Sequence, residues 1–249
     1  MNAPIDIERA RFNMIEQQIR PWDVLDLDVL ALLSAVKREE FVPAAHKALA
    51  FVDMEIPLLG DADEAMRTGK CMLAPKLEAR LLQDVAPKAH EKVLEVGAGS
   101  GYMAALLASR AQRVITLEIE PELARLAREN LKAAGIRNVE VREADGSKGL
   151  AAEGPFDVIV LSGSVAEVPA ALLSQLKVGG RLAAIVGSEP VMRATFITRT
   201  GDGTYATSVE VAPPEGERDR FSIGLRPILA LPHLLVLGLL YVACFFATI

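Results

Sequence analysis

The chain has 249 residues, 51% of them hydrophobic, enough for one well-buried α/β domain with attachments. Its 33 acidic residues outnumber its 27 basic ones, the net charge is -6, and no basic block stands out. Nucleic-acid binding therefore lacks its electrostatic footprint, and an acidic protein substrate would not be drawn in by long-range field. Two cysteines, Cys71 and Cys244, lie far apart without metal-ligand spacing, which reads as reduced thiols in a reducing compartment. The three histidines, His46, His90 and His233, form no pattern, so no metal is expected. The opening Met-Asn-Ala-Pro-Ile-Asp-Ile-Glu carries acids and no apolar core, unlike a secretory signal, and a cytoplasmic setting is expected.

In chain order, residues 5–50 read as helical. Ile15, Ile19, Val29, Leu30, Leu33 and Val36 supply an apolar stripe that Pro21 interrupts, and Asp26 is placed to cap a second helix. Residues 51–75, with Pro57, Gly60, Gly69 and Pro75, read as a long irregular loop over one edge of a sheet. A helix from Pro75 to Val85 leads into a strand at 92–96. Strands at 113–118, 138–142, 156–161 and 181–186 then alternate with helices. One helix is opened by Pro121 and closed near Gly135; another runs from about Pro169 to before Gly179. This alternation predicts an α/β, doubly wound, mostly parallel sheet. Thr195–Thr200 and Tyr205–Val211, around Gly201-Asp202-Gly203, predict an antiparallel hairpin at its end.

The end of the chain is uncharged from Ile228 to Ile249, roughly 22 residues and long enough to cross a bilayer as a helix. Pro232 and His233 weaken its first turn. Arg218, Arg220 and Arg226 just before it would hold the folded domain on the cytoplasmic side. Three readings stand: a membrane anchor, a buried or oligomer-forming apolar helix, and a non-native reading frame after Pro214. The expected organisation is 1–75 as N-terminal helices and substrate-side loop, 76–212 as core, 213–227 as linker and 228–249 as apolar tail.

The chemistry concentrates at residues 93–102, Val-Leu-Glu-Val-Gly-Ala-Gly-Ser-Gly-Tyr. A strand runs into Gly97, Gly99 and Gly101, and a helical run from Met103 to Arg110 follows. Glycine lets the backbone turn without a Cβ clash and lets a ligand lie against the main chain, while the new helix offers free N–H groups. Glu118 ends the next strand about 20 residues past the first glycine, where doubly wound folds hold a ribose hydroxyl pair. The spacing is Gly-x-Gly-x-Gly, with Glu95 two residues ahead of it. That combination resembles motif I of class I S-adenosylmethionine (SAM) methyltransferases.

Several segments together resemble protein-L-isoaspartate O-methyltransferases over roughly residues 8–212. Met14-Ile-Glu-Gln-Gln-Ile-Arg20 is similar to that family's opening helix, and Lys37-Arg-Glu-Glu-Phe-Val-Pro43 to its "PRExFVP" segment. Val93 to Tyr102 matches motif I, Asp145-Gly146 the acidic-glycine loop, and Pro155–Ile159 and Leu176–Leu182 the later strands. The resemblance implies SAM as cofactor and isoaspartyl residues of proteins or peptides as partners. Gly97, Gly99, Ser100 and Gly101 would shape the turn under the methionine part, with Glu95 near its ammonium. Glu118, followed by Ile119, would take the ribose hydroxyls, and Asp145 with Gly146 the adenine amino group.

One segment departs from the family. Where its members carry "T-I-S-x-P" to line the acceptor carboxylate, this chain has Cys71-Met-Leu-Ala-Pro75. Pro75 is kept, but Cys71 and Leu73 replace the two hydroxyl residues, which would leave an anion poorly solvated. Ser162 and Ser164, after the fourth core strand, offer hydroxyls in partial compensation. Three functions follow: an isoaspartyl repair methyltransferase, a same-fold methyltransferase with an apolar or membrane-associated acceptor, and a SAM-binding module without catalysis.

Overall fold

From Lys92 onward, apolar strands and amphipathic helices alternate, and their burial pattern assembles one seven-stranded sheet. The structure is a computed structural model that describes residues 6–188 and 191–210. The central strands are β3 (Lys92–Val96), β4 (Arg113–Glu118), β5 (Val139–Glu143), β6 (Phe156–Val165) and β7 (Leu176–Ser188), numbered after a short β1 and β2 described below. With β8 (Val191–Arg199) and β9 (Tyr205–Glu210), the sheet order is β5-β4-β3-β6-β7-β8-β9. The strands from β5 to β7 pair in parallel, and β7-β8-β9 are antiparallel, which gives the expected mostly parallel doubly wound sheet with its terminal hairpin.

Strand alternation sends Val93, Val114 and Val158 to one face of the sheet and Leu94, Ile115 and Ile159 to the other, all fully buried. The first face is covered by α4 (Pro75–Val85) and α5 (Tyr102–Ala108). The N-terminal helices α1 (Ile7–Met14) and α2 (Leu27–Ala35) add Val29 and Leu33, with Met14 and Ile19, to the same buried cluster. Asp26 caps α2 as expected, accepting from the N–H groups of Asp28 and Val29 at 2.8 and 3.2 Å. The apolar spacing of α4 and of α6 (Pro121–Ala133) turns Ala79, Leu82 and Val85, and Leu123, Ala127 and Leu131, inward.

Three expectations change. Residues 51–75 do not form an irregular loop. Asp61 caps α3 (Ala62–Thr68) by accepting from Glu64 N–H at 2.8 Å, and Gly69, at φ +71°, ends it. β1 (Ile56–Pro57) then pairs antiparallel with β2 (Cys71–Met72) and closes the excursion. The helix from Pro169 is shorter than expected. It is α7 (Ala170–Ser174), because β7 begins at Leu176, whose main chain pairs with Phe156. β6 runs on to Val165, so Ser162 and Ser164 stand on a strand rather than in a loop after it. Among the described residues no helix is long and apolar enough to cross a membrane. The tail at 228–249, the linker at 213–227 and Cys244 lie outside the described residues.

Candidate active site

In this sheet the chain leaves β3 toward β4 and β5 on one side, while β6 and β7 fill the other. The crevice at the carboxyl ends of β3 and β6 is thus the topological switch point where open α/β sheets bind ligands. The glycine turn lies there. Gly97, at φ +94°, donates from its N–H to Leu117 O at 2.8 Å and tucks against Ser162 O. Gly101, at φ +84°, opens α5 so close to Ala127 and Leu131 of α6 that a Cβ would come within 3.2–3.3 Å of them.

Glu118 fixes this loop to the next strand. Its Oε2 accepts from Gly99 N–H at 2.9 Å and its Oε1 from Glu120 N–H at 3.0 Å, in a side chain only 6% exposed. Each oxygen keeps a second lone pair for a ligand hydroxyl. Asp145 accepts from Ser147 N–H at 2.9 Å, and this bond holds its carboxyl below the usual range. At Gly146 a Cβ would overlap Val96 Cγ1, so only glycine lets the loop close on the strand. A cavity of about 250 Å³ runs along these groups, between Gly97, Glu118, Ile119, Asp145, Gly146 and Ser164.

A second cavity, about 20 Å³, adjoins it through Gly97. Its walls are the glycine turn with Ser100, the β2 segment Cys71-Met72-Leu73, the buried side chains of Glu78, Glu95 and Tyr102, and the half-buried Ser162. The period-2 alternation of β3 puts Glu95 on the face of Val93, under the N-terminal helices, with no exposure. Ser162 Oγ–H donates to Glu95 Oε1 at 2.7 Å, while Oε2 is buried without a partner. Burial pushes this carboxyl up to about 8, against the pull of the Ser162 hydroxyl.

The site residues expected from sequence thus divide between the two cavities. Glu118, Ile119, Asp145, Gly146 and Ser164 line the larger, Cys71, Leu73, Glu95, Gly99, Ser100 and Ser162 the smaller, and Gly97 both. Pro75 and Gly101 line neither; Pro75 is the buried first residue of α4. Cys71 is half-buried, its Sγ lies 3.6 Å from Met66 Sδ, and burial pushes its thiol up, so it stays protonated. Ser162 lines the smaller cavity with Leu73 and donates its hydroxyl to Glu95, while Ser164 lines the larger cavity.

Sequence reasoning missed the pair beneath the smaller cavity. Arg38 is fully buried and bonds Glu78 through Nη1, Ala50 O through Nε at 3.2 Å, and Leu73 O through Nη2 at 2.7 Å. The bond to Leu73 O ties the departing segment to the "PRExFVP"-like stretch. Burial pushes the Glu78 carboxyl up to about 7 despite the facing guanidinium. The sequence signal was the glutamate on the buried stripe Pro75-Glu78-Ala79-Leu82 of α4. Lys70 was also missed. Its ammonium reaches Glu120 Oε2 at 2.6 Å, from the residue before β2 to the turn that follows Glu118.

Fold and site define a class I SAM-dependent methyltransferase, and the residues fit that cofactor. Glu95 Oε2 is a buried carboxyl oxygen without a partner and suits an ammonium, which would draw it into its ionised form; the strand-end carboxylate and the glycine cradle suit a nucleoside. The sequence profile described as Protein-L-isoaspartate(D-aspartate) O-methyltransferase matches residues 10–212. The chain is 40% identical over 197 residues to Protein-L-isoaspartate O-methyltransferase of Koribacter versatilis (strain Ellin345), covering 79% of this chain and 84% of that relative. It is 39% identical over 201 residues to Protein-L-isoaspartate O-methyltransferase 2 of Marinobacter nauticus, covering 80% and 87%. The fold is shared with a solved protein-L-isoaspartate O-methyltransferase at TM-score 0.65 and 24% identity, over 80% of this chain and 63% of that one. It is shared also with a Plasmodium falciparum protein described by the same activity and crystallised with S-adenosyl-L-homocysteine, at TM-score 0.66 and 20% identity, over 83% and 94%. The chain belongs to the protein-L-isoaspartate(D-aspartate) O-methyltransferase family and is an enzyme that uses SAM.

Proposed function

We propose that the chain methylates the free carboxylate of isoaspartyl residues in proteins and peptides, as the names of its relatives say of them. The observation that supports this most is the meeting, at Gly97, of a nucleoside-sized cleft with a smaller adjoining cavity, inside a family match that spans both. When bound, SAM supplies a methyl group already activated by its positive sulfur. The acceptor carboxylate is ionised at neutral pH, so the chain need not supply a general base. A site without histidine, whose work is to position two groups and exclude water, suits that chemistry.

In this reading Glu118 holds the ribose hydroxyls and Asp145 the adenine amino group, with Gly146 allowing close approach. Glu95 Oε2 takes the ammonium, and the Gly97–Gly101 turn cradles the methionine part with Ser100. Residues 76–212 carry the cofactor, and 1–75 cover the acceptor side through the β1–β2 excursion. The low cysteine content supports a reducing, cytoplasmic setting. An apolar acceptor and a module without catalysis, both raised by Leu73, are not favoured beside relatives of 39–40% identity named for isoaspartate.

Labelled SAM with an isoaspartyl peptide and its aspartyl twin tests the proposal. Label in the isoaspartyl peptide alone is expected. Equal label in both, or none in either from a protein that binds S-adenosylhomocysteine, would overturn the assigned acceptor.

A further inference from the structure

Gln175 stands between α7 and β7 and is 8% exposed. A buried primary amide brings two donor hydrogens and an acceptor oxygen, and each needs a partner. Here the main chain supplies all of them. Gln175 Oε1 accepts from Leu150 N–H at 2.7 Å, and Nε2 donates to Lys148 O at 2.8 Å and to Ala171 O at 2.9 Å. The amide thus grips the chain on both sides of Gly149 and ties that segment to α7. Gly149 fits it closely: its φ is +64°, and a Cβ there would come within 2.5 Å of Gln175 Oε1. Gln175 is itself fixed to the sheet, since its O accepts from Phe156 N–H at 2.8 Å.

The two segments joined by this amide both lead to walls of the larger cavity. Asp145, Gly146 and Ser147 supply one stretch of its lining, and Pro169 and Leu172 supply another, while Gln175 does not line it. A tight turn connects the first stretch to the gripped segment, with Gly149 N–H donating to Gly146 O at 2.9 Å. On the other side Gln175 N–H donates to Leu172 O at 3.1 Å. Asp145 is exposed and its carboxyl is held within its own turn by Ser147 N–H, so its place follows from whatever holds the turn. We propose that Gln175 is a positioning residue for the adenine of the cofactor. Its buried amide sets the Asp145–Ser147 turn against α7 and so places the Asp145 carboxylate for the amino group. The inference rests on the methyltransferase reading, in which Asp145 takes that group.

Gln175→Met tests it, because methionine keeps the length of the side chain and removes its three hydrogen bonds. The probes are S-adenosylhomocysteine and S-inosylhomocysteine, which carries a carbonyl oxygen where adenine carries its amino group. The unsubstituted protein should prefer the first by about tenfold in calorimetry. In the variant S-adenosylhomocysteine should bind about tenfold more weakly and S-inosylhomocysteine within about threefold of before, so that the preference collapses. The KM for SAM should rise by a similar factor with kcat within about twofold. S-adenosylhomocysteine binding within about twofold, or equal weakening of both probes, would overturn the proposal, since a general loosening of the fold does not single out the amino group. Should the methionine variant not fold, Gln175→Glu is held to the same outcomes; it keeps an acceptor for Leu150 N–H and turns both donors into acceptors. If the unsubstituted protein binds the two probes alike, the Asp145 assignment fails and this inference with it. If it binds neither, the methyltransferase reading itself is overturned.

Discussion

The larger cavity and the smaller one are built in different ways. The larger is assembled from strand ends that follow one another in sequence. Glu118 closes β4 and Asp145 follows β5, and main-chain bonds lace them together: Gly97 N–H to Leu117 O, Gly99 N–H to Glu118, and Ala144 N–H to Glu118 O. The smaller cavity and the Arg38 side chain that bonds its Glu78 and Leu73 draw on residues from 38 to 162. Arg38, Leu73, Glu78, Glu95, Tyr102 and Ser162 come from six separate segments. Parallel-sheet geometry dictates the first set, whereas side-chain packing selects the second. A substitution in the first should therefore act on the cofactor, and one at the acceptor wall of the second on the substrate.

Removing the most connected group of the larger cavity should give the largest effect. Glu118→Ala strands two main-chain donors and removes the acceptor proposed for the ribose. S-adenosylhomocysteine binding should weaken about 100-fold, equivalent to about 3 kcal/mol from lost charge-assisted hydrogen bonds, as read by calorimetry. A change below about threefold would break the division, because the ribose would then be anchored elsewhere.

Glu95 borders the glycine turn and the wall proposed for the acceptor, and its buried carboxyl gives a pH signature. Its pKa is raised from 4.5 to about 8, so the folded ligand-free protein holds one more proton than the unfolded chain between those values. Stability from this group is therefore lost as pH rises through that window, and Glu78, pushed up to about 7, adds to the fall. An ammonium demands the ionised form, so S-adenosylhomocysteine should bind more tightly as pH climbs from about 6 to about 8. Glu95→Gln should flatten that dependence, weaken binding about tenfold at pH 8, and raise the melting temperature of the ligand-free protein there. A dependence that survives the substitution would assign the titration to another group.

The same contrast decides what the sequence revealed. Glu118 and Asp145 are legible because their positions follow from strand length and glycine punctuation, both local properties. Asp26, Gly97 and Gly101 are legible for the same reason, since a cap or a positive φ is set by a few neighbouring residues. Glu78 hides because a glutamate on an amphipathic helix reads as solvated; its burial depends on Arg38, forty residues earlier in the chain. The excursion at 51–75 hides because its prolines and glycines read as loop punctuation. What makes it structure is the pairing of Ile56–Pro57 with Cys71–Met72 across a seven-residue helix.

The independence of the two regions is tested most directly at the acceptor wall. Leu73→Ser restores a hydroxyl at a half-buried position whose carbonyl is already fixed by Arg38. The measurement is the KM for an isoaspartyl peptide together with the dissociation constant for S-adenosylhomocysteine, in this variant and in the unsubstituted protein. The account predicts a KM lower by about threefold to tenfold and a cofactor constant unchanged within twofold. An unchanged KM, or a shift in the cofactor constant alone, would contradict it, because Leu73 would then not line the acceptor.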